Sequence, residues 1–152
     1  MKRTSGILLL LFLSTCLPAK GQKCVLEVLL HNIRNTDGTV SVAVYRTTEE
    51  WPYEPSFSFK LNKNIMSGQA MRFLTDTLLP GRYALSVLDD ENDNGEMDYF
   101  CGIPREGWGF CNNPAVIRLR APGFDLCSFE IRGDTTTLEV KINYIGSGAK
   151  ER

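Results

Sequence analysis

The segment "LEVKINY" (residues 138–144) alternates apolar and polar side chains without interruption. A strand turns successive side chains to opposite faces, so this period of two predicts a β-strand with one buried face. The buried face would carry Leu138, Val140, Ile142 and Tyr144, and the solvent face Glu139, Lys141 and Asn143. We therefore take β-structure as the working hypothesis for the whole chain.

The same alternation recurs along the chain, whereas helical periodicity is nearly absent. It is found in the segments 26–30, 40–44, 57–61, 71–73, 83–87, 117–119 and 127–131. The Asp37-Gly38 turn between the first two segments predicts a hairpin. Together, seven or eight short strands predict an all-β fold. We expect an antiparallel β-sandwich of the immunoglobulin-like or transthyretin-like kind, with a closed barrel as the alternative.

The first 21 residues have the pattern of a secretory signal peptide. Two basic residues precede an apolar run over residues 7–17, which is too short to span a bilayer. Small residues at Ala19 and Gly21 suit signal peptidase, so we expect residues 1–21 to be removed. A lipid anchor at Cys16 is the alternative. Either interpretation predicts an exported protein that is periplasmic, secreted or held at the cell surface.

The charge left after removal of this leader argues against two classes of partner. The remaining 131 residues carry 14 basic and 18 acidic side chains, a net charge of −4. Such a domain is a poor binder of nucleic acid or of anionic membranes. We expect one β-domain over residues 22–145, a disordered tail over 146–152, no membrane span and a monomer. With His31 as its only histidine, the chain also lacks a recognisable catalytic constellation, so no enzyme is predicted.

Four cysteines remain in the exported chain. In an oxidising compartment such a set favours two disulfides over a metal site. Cys101 and Cys111 bracket a glycine-rich loop, so we predict a bond between them, which leaves Cys24 to pair with Cys127. Four buried free thiols are the alternative.

The strand pattern stops from residue 89 to residue 114, where "DENDNGEMD" (90–98) gathers five carboxylates and two amides around one glycine. Its spacing matches the first nine positions of an EF-hand calcium loop, with Gly95 at the sixth position. Calcium requires six to eight hard oxygen ligands, whereas zinc would need histidine or cysteine. We therefore predict one long loop that binds Ca²⁺. A solvated acidic turn is the alternative.

The predicted metal ligands are the side chains of Asp90, Asn92, Asn94 and Asp98, the carbonyl group of Glu96 and the carboxylate of Glu106. Position twelve of the loop is Cys101 and not glutamate, so a ligand must come from elsewhere. Glu106 is the candidate because "GIPREGWGF" (102–110) could fold back over the loop once Cys101 and Cys111 are joined. Asn112 and Asn113 are weaker candidates.

The stretch "FLTDTLLPGRYALSVLDDENDNGEMDYFCGIPREGWGFCNNP" (73–114) resembles an uncharacterised bacterial exported family, domain-of-unknown-function family 2141. The shared pattern lies at Pro80, Gly81, Tyr83, Ala84, Asp90, Asn92, Asn94, Gly95, Asp98, Gly102, Ile103, Pro104, Glu106, Gly109 and Phe110. The resemblance implies an exported β-sandwich and carries no established activity. Two positions depart from the family, Asp89 where members often have histidine and Cys111 where they usually have serine.

The aromatic side chains Trp51, Trp108 and Phe110 form the second candidate site, a platform for a sugar or apolar ligand. Aromatics that only anchor loops on the sandwich are the alternative. We therefore expect a non-catalytic binding or structural module of the cell envelope, acting on an unknown envelope protein or glycan. A carbohydrate-binding module that uses exposed aromatics is the alternative function.

Overall fold

The computed structural model describes residues 24–116 and 120–145. These ranges contain ten strands: β1 Val25–His31, β2 Thr39–Tyr45, β3 Phe57–Asn62, β4 Ala70–Thr75, β5 Gly81–Asp90, β6 Tyr99–Phe100, β7 Ile103–Pro104, β8 Gly107–Phe110, β9 Ser128–Ile131 and β10 Thr135–Lys141. Two single 3₁₀ turns, Lys63–Ile65 and Phe124–Cys127, are the helical elements of the described part, where no helix is long and apolar enough to cross a bilayer. The predicted leader, tail and strand at 117–119 lie outside the described residues.

The strands form two large sheets and one small hairpin. The first sheet has the order β10-β1-β4, and the second has the order β3-β2-β5-β8 with β9 also paired to β5. β6 and β7 pair as a separate two-stranded hairpin. The all-β prediction is confirmed. A wholly antiparallel arrangement is wrong for one pair, since β1 and β10 run parallel. A tight hairpin forces antiparallel pairing, but the whole domain separates these two strands in sequence.

One hydrophobic core receives side chains from both large sheets. The first sheet contributes Leu26, Val28, Leu30, Met71 and Val140, and the second contributes Val40, Val42, Val44, Leu85 and Val87. In the opening segment, Val140 and Ile142 are both fully buried (0% exposed), as the alternation predicts. Burial of such side chains is the main stabilising contribution, about 1.5–3 kcal/mol for each.

The predicted hairpin between the first two strands is wrong. β1 pairs with β4 and β10, whereas β2 pairs with β3 and β5. The turn at Asp37-Gly38 therefore carries the chain from one sheet to the other. The apolar faces of β1 and β2 meet across the core, which buries both without a hydrogen bond between the strands.

The stretch from residue 89 to residue 114 contains more regular structure than its sequence predicts. β5 continues to Asp90, and Gly107–Phe110 forms β8 against it. β8 does alternate, but glycine occupies its inward positions. A Cβ atom on Gly107 would lie 2.3 Å from Tyr144, and one on Gly109 would lie 2.6 Å from Val140. The glycines allow the end of β10 to pack directly on β8, and a pattern based on hydrophobicity misses such a strand.

Gly38 holds the sheet-crossing turn against the end of β5. Its φ of +66° lies in the left-handed region, and a Cβ atom there would lie 2.0 Å from the carbonyl oxygen of Asp90. Gly68 has a similar φ of +62° but no atom within 4 Å of the same position. A side chain at either glycine would strain the backbone, but only a side chain at Gly38 would also overlap another atom.

We predict that Gly38→Ala lowers the free energy of unfolding by at least about 3 kcal/mol, whereas Gly68→Ala costs only about 1–2 kcal/mol, the usual strain of a left-handed residue. Urea unfolding of both variants beside wild type measures the difference. Equal losses would contradict the close approach of the turn to Asp90.

Candidate functional site

The acidic loop leaves the end of β5, where two successive carboxylates are buried. Asp89 and Asp90 are both 0% exposed. Asp90 binds the loop through backbone groups, since its Oδ1 accepts the N–H of Asn94 (3.1 Å) and its Oδ2 accepts the N–H of Gly95 (2.8 Å). Gly95 has a φ of +85°, which allows the chain to reverse there. Asp90 thus closes the loop onto the strand that precedes it.

Two asparagines shape the middle of the loop. The Oδ1 atom of Asn92 accepts the N–H of Asn94 (3.1 Å), and the Oδ1 atom of Asn94 accepts the N–H of Glu96 (2.8 Å). Their amide groups donate to the two oxygens of Asp98, at 2.5 Å from Asn92 and 3.1 Å from Asn94. Four of the side chains predicted as metal ligands therefore lie in one hydrogen-bonded turn.

Glu106 reaches the same loop from the turn before β8. It is only 3% exposed, and its carboxylate accepts the N–H of Glu91 at 2.9 Å and the N–H of Asp98 at 3.2 Å. These bonds join the two ends of the loop. The side chain of Glu106 thus lies with the loop ligands predicted from the sequence. Asn112 instead bonds to Leu126 and to Ser128 of β9, and Asn113 bonds to Glu139 and Lys141 of β10.

Two outward-facing acids of the loop, Glu91 and Asp93, have cationic partners. Glu91 makes a two-pronged ion pair with Arg34 at 2.5 and 2.7 Å, and Asp93 lies 2.6 Å from Lys60. Hydrogen bonding to Arg34 lowers the pKa of Glu91, and hydrogen bonding to Lys60 lowers the pKa of Asp93. These two carboxylates remain ionised and compensated across the neutral pH range.

The inward-facing acids of the loop have no cationic partner among the described residues. Among the described residues, no ion pair includes Asp90, Asp98 or Glu106. Burial raises the pKa of Glu106, and the charges of Asp90 and Asp98 raise it further, against the opposing effect of its two backbone hydrogen bonds. Three carboxylates, two of them buried, thus bond to the same loop without a described ion-pair partner.

A buried ion pair beneath the loop was not predicted from the sequence. Lys63 is 1% exposed, and its Nζ atom lies 2.5 Å from Asp89 Oδ1, with further bonds to the carbonyl oxygen of Asp37 (2.5 Å) and to Asn35 Oδ1 (3.3 Å). The Tyr144 hydroxyl donates to the other oxygen of Asp89. Burial and this hydrogen bond raise the pKa of Tyr144. The negative charge of Asp89 is therefore already compensated by the positive charge of Lys63.

The loop has no cluster of the common metal-ligating residues. In the part of the chain that the structure describes, no three of His, Cys, Asp and Glu converge as a metal-binding group. The predicted set differs from such a cluster because amide and carbonyl oxygens supply half of its ligands. In the present conformation the amide groups of Asn92 and Asn94 point their nitrogens at Asp98, so ion binding would have to turn these amides.

The aromatic residues Trp51, Trp108 and Phe110 line one groove of about 1080 Å³ on the outer face of the second sheet. Trp51 makes edge-on contacts with three rings, of which Phe110 is one (centroids 5.7 Å apart), and it donates to the carbonyl oxygen of Pro122 at 2.8 Å. Trp51 therefore anchors its loop. The Nε1 atom of Trp108 is buried and lacks a hydrogen-bond partner among the described residues. Glu96 also lines this groove.

The predicted disulfides are not formed in this structure. Cys101 is exposed in the turn between β6 and β7, whereas Cys111 and Cys127 are buried, and all three carry free thiols. Cys24 is also fully buried, next to the start of β1. Cys127 ends a 3₁₀ turn and does not lie in β9, which corrects the predicted strand boundary.

A comparison with protein families matches residues 28–139 to a family described as an uncharacterized protein conserved in bacteria, DUF2141. The chain belongs to this family. The match covers the loop, Glu106 and β8, which confirms the resemblance seen in the sequence. Comparison with curated proteins and with solved structures gave no match. In this DUF2141 chain, the aspartate that stands in place of the frequent histidine is Asp89, the partner of Lys63.

We predict that Glu106 makes the calcium-free protein less stable as pH rises. A carboxyl group whose pKa is raised by folding stabilises the folded state fully below its unfolded pKa, and that contribution is lost as pH rises through the folded pKa. The free energy of unfolding of wild type minus that of Glu106→Gln should therefore fall above pH 4.5, at most by about 1.4 kcal/mol per pH unit.

Chemical denaturation of both proteins in chelator, at intervals from pH 4 to pH 8, measures this difference. The comparison with Glu106→Gln removes the contributions of other acids, such as Glu91, whose lowered pKa acts in the opposite direction. A difference that rises with pH would show that Glu106 is already compensated in the calcium-free protein.

Proposed function

We propose that the protein is an exported, non-catalytic binding or structural module of the cell envelope whose acidic loop is organised by calcium. The observation that carries this proposal is the group of three carboxylates, Asp90, Asp98 and Glu106, which have no cationic partner among the described residues. Leaving buried charge unpaired is costly, and a bound cation would remove that cost. Export rests on the leader sequence over residues 1–21.

The donor chemistry of the loop favours calcium over other ions. Carboxylate and amide oxygens from Asp90, Asn92, Asn94, Asp98 and Glu106, with the carbonyl oxygen of Glu96, would supply six hard ligands. Magnesium retains more of its water and would use fewer of these groups, and zinc would select nitrogen or sulfur. The amides of Asn92 and Asn94 would rotate so that their oxygens face the ion.

Bound calcium would have a structural role in this protein. Because Asp90 and Glu106 join the loop to β5 and β8, an ion between them would link both strands through the loop. With a dissociation constant of about 10 μM and calcium at about 1 mM, binding would stabilise the fold by about 2.7 kcal/mol. We further infer that the two sheets form a sandwich of the immunoglobulin-like or transthyretin-like kind, which leaves this loop free at one end to meet a partner.

We predict that 1 mM calcium raises the melting temperature of wild type by roughly 5–10 °C relative to chelator, since ion binding stabilises only the folded loop. Asp90→Ala should abolish this shift. Differential scanning fluorimetry in calcium, in magnesium and in chelator measures it.

Asp93→Ala is the matched control, because it removes the same charge from the same loop but from a side chain that faces Lys60. This variant should retain the calcium shift. If calcium leaves wild type unchanged, or if Asp90→Ala and Asp93→Ala respond alike, the proposed site is refuted.

A second candidate function is carbohydrate binding in the groove. The supporting observation is that Trp108 and Phe110 of β8 meet Tyr53 in one concave surface. Tyr53 is 87% exposed, so its ring is accessible for stacking on a sugar. Trp51 is less suited, since three aromatic contacts hold it in place.

If the groove binds glycans, Tyr53→Ala should weaken that binding about three- to tenfold, the loss expected for one stacking contact. Phe100→Ala is the control, since Phe100 is 64% exposed but lies outside the groove. A glycan array followed by calorimetry on any positive sugar tests this. No binding to any glycan, or equal losses in both variants, would eliminate this candidate.

A further inference from the structure

The end of β8 and the start of β9 pair with β5 only two residues apart. β8 pairs Phe110 with Ser86, and β9 pairs Ser128 with Ala84. Extending the β8 register by one residue places Cys111 opposite Leu85, and Cys127, at the end of its 3₁₀ turn, directly precedes Ser128. The backbone N–H of Cys111 does donate to the carbonyl oxygen of Leu85 at 3.1 Å. Cys111 and Cys127, which the sequence did not predict to pair with each other, are thus brought close to the same part of β5.

The side chain of Asn112 connects the end of β8 to the start of β9. Its amide donates to the carbonyl oxygens of Leu126 (3.2 Å) and Ser128 (2.8 Å), the residues on either side of Cys127. The backbone next to Cys111 is therefore held against the backbone around Cys127 by a single asparagine. A disulfide needs two Cα atoms within about 4.4–6.8 Å of each other, which requires this kind of close backbone approach.

Both thiols are enclosed by the protein. Cys111 is 1% exposed and belongs to the main core, whereas Cys127 is 0% exposed and belongs to the smaller cluster of Tyr45, Ala84 and Phe124. The other two cysteines are placed differently, because Cys101 is exposed and Cys24 lies beside the start of β1. The strand pairing and the bonds of Asn112 together thus favour one pair out of the combinations that the sequence leaves open.

We propose that Cys111 and Cys127 form a disulfide bond in the exported protein, which replaces the pairing of Cys101 with Cys111 and of Cys24 with Cys127 expected from the sequence. This inference rests on the export step of the proposed function, because only an oxidising compartment supplies the oxidant. It is independent of calcium and of any glycan.

The reaction is a thiol–disulfide exchange with a disulfide-bearing oxidant, such as an oxidised thiol oxidoreductase or oxidised glutathione. One thiolate attacks the oxidant disulfide and displaces one thiol, and the second thiolate then displaces the other. Two protons and two electrons pass from the cysteine pair to the oxidant, whose disulfide becomes two thiols. One S–S bond forms in the protein and one breaks in the oxidant.

Burial determines when this bond can form. It raises the pKa of Cys111 to about 11 and that of Cys127 to about 12, and the nearby Cys111 also raises the pKa of Cys127. In the folded, reduced protein few thiolates would therefore be present near neutral pH, and exchange would be slow. We expect oxidation to occur during folding, before the thiols are enclosed.

Trypsin distinguishes the pairings, since it places the four cysteines in separate peptides: residues 24–34, 83–105, 106–118 and 121–132. The protein is purified from the exported fraction, its free thiols are alkylated, and the digest is analysed by mass spectrometry without reduction. We expect peptides 106–118 and 121–132 to be joined, and peptide 83–105 to carry alkylated Cys101.

A second sample separates failure of export from failure of the pairing. Denatured, reduced protein is refolded with oxidised glutathione and digested in the same way. Joined peptides 106–118 and 121–132 in this sample would support the pairing even if the leader proved not to direct export. A bond from Cys101 to Cys111, a bond from Cys24 to Cys127, or full alkylation of Cys111 and Cys127 in this refolded sample would overturn it.

Stability gives an independent measurement. Reduction should lower the melting temperature of the oxidised wild type by roughly 5–10 °C, because the bond closes a short loop. Reduction should leave Cys111→Ala unchanged, and Cys101→Ala, the matched control, should lose as much stability as wild type. A wild type that is insensitive to reduction after oxidative refolding would contradict the bond.

Discussion

The buried ion pair between Lys63 and Asp89 is the interaction on which this end of the molecule depends. Both side chains are almost fully enclosed, and the Nζ atom of Lys63 also bonds to the turn that precedes β2. A buried charge is tolerated only where a partner and further hydrogen bonds compensate its lost hydration. Lys63 therefore holds three segments in one arrangement, namely the turn at Asp37, the end of β5 and its own 3₁₀ turn.

The loop that follows is shaped by the charges that this lysine does not compensate. Glu91 and Asp93 point outward to Arg34 and Lys60, so their repulsion is relieved at the surface. Asp90 and Glu106 point inward and use their oxygens to accept backbone N–H groups. Hydrogen bonds position a carboxylate but add no positive charge, and the pKa of Glu106 is raised by burial and, to a smaller extent, by the charges of Asp90 and Asp98. The electrostatics therefore favour a cation, whereas the hydrogen bonds already give the loop a defined shape.

Close packing on β8 connects the loop to the groove. Because Gly107 and Gly109 have no side chains, the chain after β10 lies directly on one face of β8, and the bridge between Trp108 and Asn143 joins the two large sheets there. Trp108 and Phe110 then project to the other face, where they line the groove. Residues of the acidic loop, including Glu96, form part of the same groove. An ion that reordered the loop would thus also alter the shape of the groove.

The sequence by itself determined the all-β class, the buried face of most strands and the family. Each of these depends on local alternation or on a motif of adjacent residues, as in Val140 and Ile142 of the opening segment. It also identified Glu106 as a residue that could reach the loop, but on the expectation of a Cys101–Cys111 bond, whereas Glu106 reaches the loop without that bond.

Only the tertiary structure decided which strands pair, because alternation indicates that a face is buried but not which sheet covers it. It separated β1 from β2, made β1 parallel to β10 and revealed β8, whose inward glycines carry no hydrophobic signal. It alone placed Lys63 against Asp89 and Asn112 against the backbone on either side of Cys127, since these contacts join residues that no short motif contains. Non-local packing, which no short window of sequence contains, determines such contacts.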